Sequence, residues 1–238
     1  MRRHRISAGK MSVIVGVADN AKEFLLYIDL LRLHSEYFRN LLEPNSESQQ
    51  PDSDIIHLSE QSADKFELFV VFIYTGYIHS RQDQDCSDAE LSLLGDLWVL
   101  GRQLGSTTFK DAIVDAMAHI RLSVFRFPRD LHETLAQHFQ GSSGLVTFLA
   151  DVAVCEWNQS DFQDRPMNPG CLPLYHRIMV RLHELRDNLT TQKTIEELLA
   201  RVGIGLYHDE HDAASPCYKR LMLVAAADVR KSKVDMPW

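Results

Sequence analysis

Phe24-Leu-Leu-Tyr-Ile-Asp-Leu-Leu-Arg-Leu-His-Ser-Glu-Tyr-Phe38 begins with the alternation of a strand and ends with the period of an amphipathic helix. In its first part Phe24 and Leu26 fall on one face, Leu25 and Tyr27 on the other. Upstream, Met11 to Val17 is rich in β-branched residues and reads as a strand. Ala18 to Ala21 reads as the turn between them, with Asp19 and Asn20 able to tolerate positive φ. The pattern predicts a hairpin, with Lys22 to Ile28 as its return strand, that runs straight into a helix over Leu30–Leu42. Asp29 stands where its carboxylate could accept from the open N–H groups of the first turn. Leu31, Ser35, Phe38 and Leu42 share the inner face of that helix, while Arg32, Glu36 and Arg39 face water.

Outward from this stretch, Pro44 to Ser53 is a polar loop, and Asp54 to Leu58 is a short strand. Ser59 or Ser62 can cap the next helix, in which Phe66, Phe69, Val70 and Ile73 recur at the spacing of a buried face, with Gly76 as its stop. The acidic run Asp83 to Asp88 separates it from a helix with Leu91, Leu94, Trp98 and Leu104 inward. Phe109 to Ile120 follows, with Phe109, Ile113, Ala116 and Met117 on its core side. From about Ser123 every periodic segment is helical: Asp130–Phe139, Leu145–Trp157, Leu174–Leu189, Thr194–Val202 and Tyr218–Val229. Gly141 to Gly144, the proline-bearing Arg165 to Pro173 and Gly203 to Gly205 are the breaks between them. The expected organisation is a basic tail over 1–10, an α+β domain over 11–122 and an all-α extension over 123–238.

At 238 residues and 45% hydrophobic composition the chain can bury a core of useful size. No run approaches the ~18 apolar residues of a membrane span, and the N-terminus has no apolar stretch behind its charges, so neither a membrane helix nor a secretory signal is expected. Cys86, Cys155, Cys171 and Cys217 form no C-x-x-C pair and are expected as reduced thiols in the cytoplasm or nucleus. Asn158-Gln-Ser160 and Asn188-Leu-Thr190 match the glycosylation pattern by chance on that reading. A net charge of −8 argues against a general nucleic-acid surface. The first ten residues nevertheless hold four of the 25 basic side chains, Arg2, Arg3, Arg5 and Lys10, and none of the 33 acidic ones. A solvated tail is the expectation; a phosphate-binding or nuclear-targeting arm is the alternative.

Catalysis needs converging groups, and the chain has no P-loop, G-x-G-x-x-G, G-x-S-x-G or H-E-x-x-H string. Gly141-Ser-Ser-Gly144 lacks the spacing of a nucleophile elbow. His208-Asp-Glu-His211 with Cys217 is the most metal-like group, but a fourth ligand would have to come from Cys171, His176 or His183 with nothing to set the distance. Solvated loop histidines beside a structural cysteine are the expectation. Asp83 to Asp88 lacks the Gly and distal Glu of a calcium loop. No catalytic residue, metal site or cofactor is therefore assigned.

Taken together, Met11 to Ile120 resembles the BTB/POZ domain as found in many small fungal proteins. That family's second strand and first helix read Phe-x-Val-His-Lys-x-Leu-Leu, then a Ser and a Tyr-Phe pair. Phe24, Leu30, Leu31, Ser35, Tyr37 and Phe38 stand in that register without a gap, with Tyr27 and Ile28 in place of the His and Lys. The later pattern recurs as Ile55-Ile-His-Leu58, Phe66-Glu67, Tyr74-Thr75-Gly76 and Leu97-Trp-Val-Leu-Gly101. The resemblance implies a helical cluster flanked by short strands. It implies a protein–protein interaction module, not an enzyme, that forms a homodimer through the hairpin and first helix. Val13, Val15, Leu25, Tyr27, Leu30 and Leu33 are the expected interface residues, with Leu31 assigned to the core. Some members are substrate adaptors for a cullin-3 type ubiquitin ligase, contacting it through a hydrophobic-x-acidic triplet after the first helix. The counterpart is Ser46-Glu47-Ser48, without the apolar residue, or Leu41-Leu42-Glu43, several residues early. Leu41, Glu43 and Glu47 are thus the candidate contacts. The alternative is a transcription-linked nuclear regulator that associates through this domain, supported by the basic arm alone.

Overall fold

A computed structural model describes residues 9–42, 55–80, 87–121, 129–136, 138, 143–157, 169–187 and 207–209. The expected loop over 44–53, the basic tail up to residue 8, most of the acidic run, and the helices at 194–202 and 218–229 lie outside the described residues. The chain divides into two compact units, residues 1–81 with 96–110, and residues 82–95 with 111–238.

In the first unit the alternating residues build a three-stranded sheet. Strand β1 (Lys10–Val15) pairs antiparallel with β2 (Lys22–Tyr27) and parallel with β3 (Ile55–Leu58), giving the order β2-β1-β3. Met11, Val13, Val15, Leu26, Ile56 and Leu58 point inward and are buried. The chain leaves β1 at Gly16, whose φ of +95° suits only glycine, and rounds the corner through a 3-10 turn, Ala18–Asn20. The positive φ of this turn falls on Gly16 and Ala18, and the tolerance of Asp19 and Asn20 for it is not used.

The expected single helix after β2 is two: α1 (Ile28–His34) and α2 (Glu36–Leu41). Ser35 separates them in extended conformation, its hydroxyl accepting from Phe38 N–H and donating to the Leu104 carbonyl at 2.6 Å. A side chain that offers the backbone an alternative partner interrupts helix propagation. Asp29 accordingly lies inside the first turn of α1; the N-cap is Tyr27, which makes no side-chain cap bond. Helix α3 (Ala63–Thr75) follows Ser62, likewise without a side-chain cap, and ends as expected at Gly76 in the left-handed conformation. Along α3 the periodic phenylalanines form a chain of ring contacts. Phe66 meets Phe24 and Phe38 at centroid distances of 5.2 and 6.4 Å, and Phe69 and Phe72 both meet Phe109, at 5.2 and 5.1 Å. Lys22 ties the hairpin to the first turns of α3 through Asp64 (2.7 Å) and Glu67 (3.2 Å).

Helix α4 (Ser87–Gln103) starts inside the acidic run expected to precede it; Asp88 and Glu90 fall in its first turn, where the helix dipole favours acids. Helix α5 covers Thr107–Arg121. Leu91, Leu94, Trp98, Leu104, Phe109, Ile113 and Met117 are all buried, as their spacing predicts. The second unit adds α6 (Arg129–Ala136), α7 (Gly144–Glu156) and α8 (Leu172–Asp187), the last preceded by a 3-10 turn, Pro169–Cys171. Ser143 caps α7 through Val146 N–H. Helix α7 is buried over almost its whole circumference from Gly144 to Ala153, Asp151 included. The fold is α+β, a short three-stranded sheet with a mostly helical remainder.

A candidate interaction surface

Because strand side chains alternate, burying Met11, Val13 and Val15 turns Lys10, Ser12 and Ile14 outward. The register sets their neighbours. Tyr27 stands beside Lys10; Leu25, Ser12 and Ile55 form one row across the sheet; Glu23, Ile14 and His57 form the next. In the middle row Leu25 is 61% and Ile55 38% exposed, while Ile14 and Tyr27 are half-buried. The Lys10 ammonium lies 5.0 Å from the Tyr27 ring centroid, and Ser12 donates its hydroxyl hydrogen to Glu23. The outer face therefore has an apolar middle with a cation at one end and a carboxylate at the other.

Helix α1 follows β2 without a loop and carries Leu33, 51% exposed, and the half-buried Leu30. Two of the expected interface residues are elsewhere. Val13 and Val15 are both 0% exposed, sealed in the domain's own core, where a partner cannot reach their side chains. Their inward direction follows from the same alternation that sends Leu25 and Tyr27 out. Leu31 is buried, as expected of a core residue. Ile14 and Ile55 belong to the outer face and were missed; the signal was their cross-strand position, which needs the register to be known.

Of the candidate cullin contacts, Leu41 is half-buried at the end of α2 and the neighbouring Leu42 carbonyl accepts from Arg32 at 2.6 Å. Glu43 and Glu47 lie outside the described residues. So do His211 and Cys217 of the metal-like group. His208 is not the solvated loop residue expected: its side chain is almost fully buried, with Nε2 3.2 Å from Asp115 Oδ1. Its neighbours are equally engaged. Tyr207 donates to Asp151 at 2.8 Å, and Asp209 accepts from Gly144 N–H and donates its own backbone N–H to Asp111. Asp151 also accepts from Arg181 Nε and Nη2, at 2.5 and 3.2 Å, so the buried carboxylate is charge-compensated. Burial, then the Asp151 charge, pushes the Tyr207 phenol far above its ordinary range. Cys171 is buried, and Cys155 is exposed on α7.

Among the described residues no group of three or more His, Cys, Asp or Glu side chains could hold a metal ion. None of the described helices is long and apolar enough to cross a membrane. A cleft of about 510 Å³ lies beside the 3-10 turn, lined by Gly16, Val17, Lys22, Ser62 and Asp64 among others, and its lysine is held by Asp64 and Glu67.

Residues 13–97 match the family model of the BTB/POZ domain. This span holds the second half of β1 through most of α4, including the outer face except Lys10 and Ser12. The domain is a protein–protein interaction module and not a catalytic family. No curated protein matches the chain significantly.

Proposed function

We propose that the BTB/POZ domain carried by residues 13–97 makes this chain a self-associating scaffold, and that two copies meet through Leu25, Tyr27, Leu30 and Leu33. The carrying observation is the exposure of Leu25 and Leu33 on consecutive elements of a domain whose other large apolar side chains on β1, β2 and α1 are mostly buried or half-buried. Exposed apolar side chains gathered on one surface mark association sites. Obligate interfaces bury upwards of about 2,000 Å², more than the sheet face alone supplies, so α1 must contribute. Light scattering on the full chain tests this: the wild type is expected as a dimer at tens of micromolar, and Leu25→Asp or Leu33→Asp as a monomer of unchanged helicity. A wild type that stays monomeric at that concentration removes the reading.

A second role is as substrate adaptor for a cullin-3 type scaffold, supported by Leu41, which ends α2 only partly covered. An apolar anchor that fills a partner's pocket gives most of the energy of such a contact. Leu41→Asp is expected to lower cullin-3 recovery in a pull-down at least tenfold, with dimer mass unchanged. Recovery no better than that of an unrelated bait would remove this role alone.

A further inference from the structure

We infer that two copies of this chain pack their three-stranded sheets face to face about a two-fold axis running along the Leu25–Ser12–Ile55 row, which sets Lys10 of each copy against Glu23 of the partner subunit. This rests on the self-association proposed above and adds its geometry. A two-fold contact uses the same patch on both copies, so the patch must be complementary to itself. For two sheets facing one another the axis lies in the plane between them, and the strands offer it two natural directions.

An axis along β1 brings Lys10 onto Lys10 of the partner subunit and leaves Glu23 without a lysine opposite it. Like charges set against each other across an interface are penalised. An axis across the strands exchanges the two ends of the sheet instead. Leu25 then covers Leu25 of the partner subunit, and Ile55 covers Ile55 of the partner subunit. The Lys10 end passes over the end that carries Glu23 of the partner subunit. Lys10 and Ile14 are four residues apart on β1, so the two charged ends stand roughly 13 Å apart about the apolar middle row. Sheets pack about 10 Å apart, within the combined reach of a lysine and a glutamate side chain. The existing contacts pre-set both groups: Tyr27 holds the Lys10 ammonium over the face, and Ser12 holds the Glu23 carboxylate on it. Opposite charges at equal distance from an apolar centre suit a second copy better than an acidic or a basic partner, each of which would meet one end with the wrong sign.

Sedimentation equilibrium on the full chain at pH 7.5 and low salt tests the arrangement with Lys10→Glu, Glu23→Lys, the double variant and Leu25→Asp. All three substituted positions are exposed, and far-UV circular dichroism checks that each protein remains folded. Each single charge reversal is expected to weaken dimerisation about tenfold or more, and the double variant to return to within about threefold of wild type. If the double variant is as weak as the singles, or the singles dimerise like wild type while Leu25→Asp is monomeric, the crosswise axis is wrong and self-association stands. If Leu25→Asp dimerises like wild type, the face is not the contact and both fall. Lysate capture of an acidic or basic protein by a monomeric wild type would likewise overturn the pairing.

Discussion

At Ser35 one hydroxyl serves two backbone groups, the Phe38 N–H and the Leu104 carbonyl, inside a fully buried site. Ser35→Ala is expected to cost about 2 kcal/mol, the sum of a lost cap and a buried carbonyl left without its partner, read as a lower urea midpoint at unchanged slope. His34, one residue earlier, sets its ring edge-on to Phe72 with Nδ1 3.4 Å from Thr108 Oγ1. Burial holds its pKa down at about 4. In the unfolded chain the imidazole takes its proton near pH 6.5. Between these values the unfolded state binds the proton and the folded state does not, so stability falls as pH drops from about 6.5 towards 4 and is fully present above 6.5. At pH 5 the loss is about 2 kcal/mol relative to pH 7.5. A His34→Leu variant should lose that much less than wild type over the same interval; equal losses would assign the slope to other groups. Neither role is visible locally, because both partners come from around 70 residues further on. Ser35 has the right spacing for a helix's inner face, and only the distant Leu104 carbonyl turns that position into a break.

The elements whose boundaries come from their own residues match the sequence closely. Helix α3 is readable from Phe66, Phe69 and Ile73 and its end from Gly76, since periodicity and a left-handed C-cap are local properties. Gly76→Ala should lower stability by about 1 kcal/mol. Gly105, at φ +61° after α4, should be less tolerant, because a Cβ there would lie 2.8 Å from Glu36 Cβ. Its change to alanine is expected to cost more than Gly76→Ala, by thermal melting of both. The hairpin's alternation correctly divided β2, and it would have divided β1 too had Val13 and Val15 been read against the same core. Helix α7 hides the opposite case. Its apolar run carries one acid, Asp151, whose partners Arg181 and Tyr207 are 30 and 56 residues away. Asp151→Asn is expected to destabilise the chain by roughly 3 kcal/mol, and Tyr207→Phe by about 1 kcal/mol because Arg181 still compensates the carboxylate.

Over the whole chain, the family-bearing part was readable because its signals are dense and local, whereas the second unit is held by pairings of long sequence separation that no window captures. His208 looked like a metal ligand or a solvated loop residue, and it is a buried partner of Asp115, 93 residues before it. That tripeptide, Tyr207-His208-Asp209, also has a consequence for synthesis on the ribosome. The ring contacts and the Ser35 bond that close the first unit need nothing beyond residue 110. The second unit leaves Asp111, Asp115 and Asp151 waiting for residues 207–209. At about 5–20 residues per second that delay is roughly 5–20 s. Nascent chains stalled so that residue 150 has just left the tunnel should therefore protect the first unit from protease and leave the second open, and protection of the second should begin only once Asp209 has emerged.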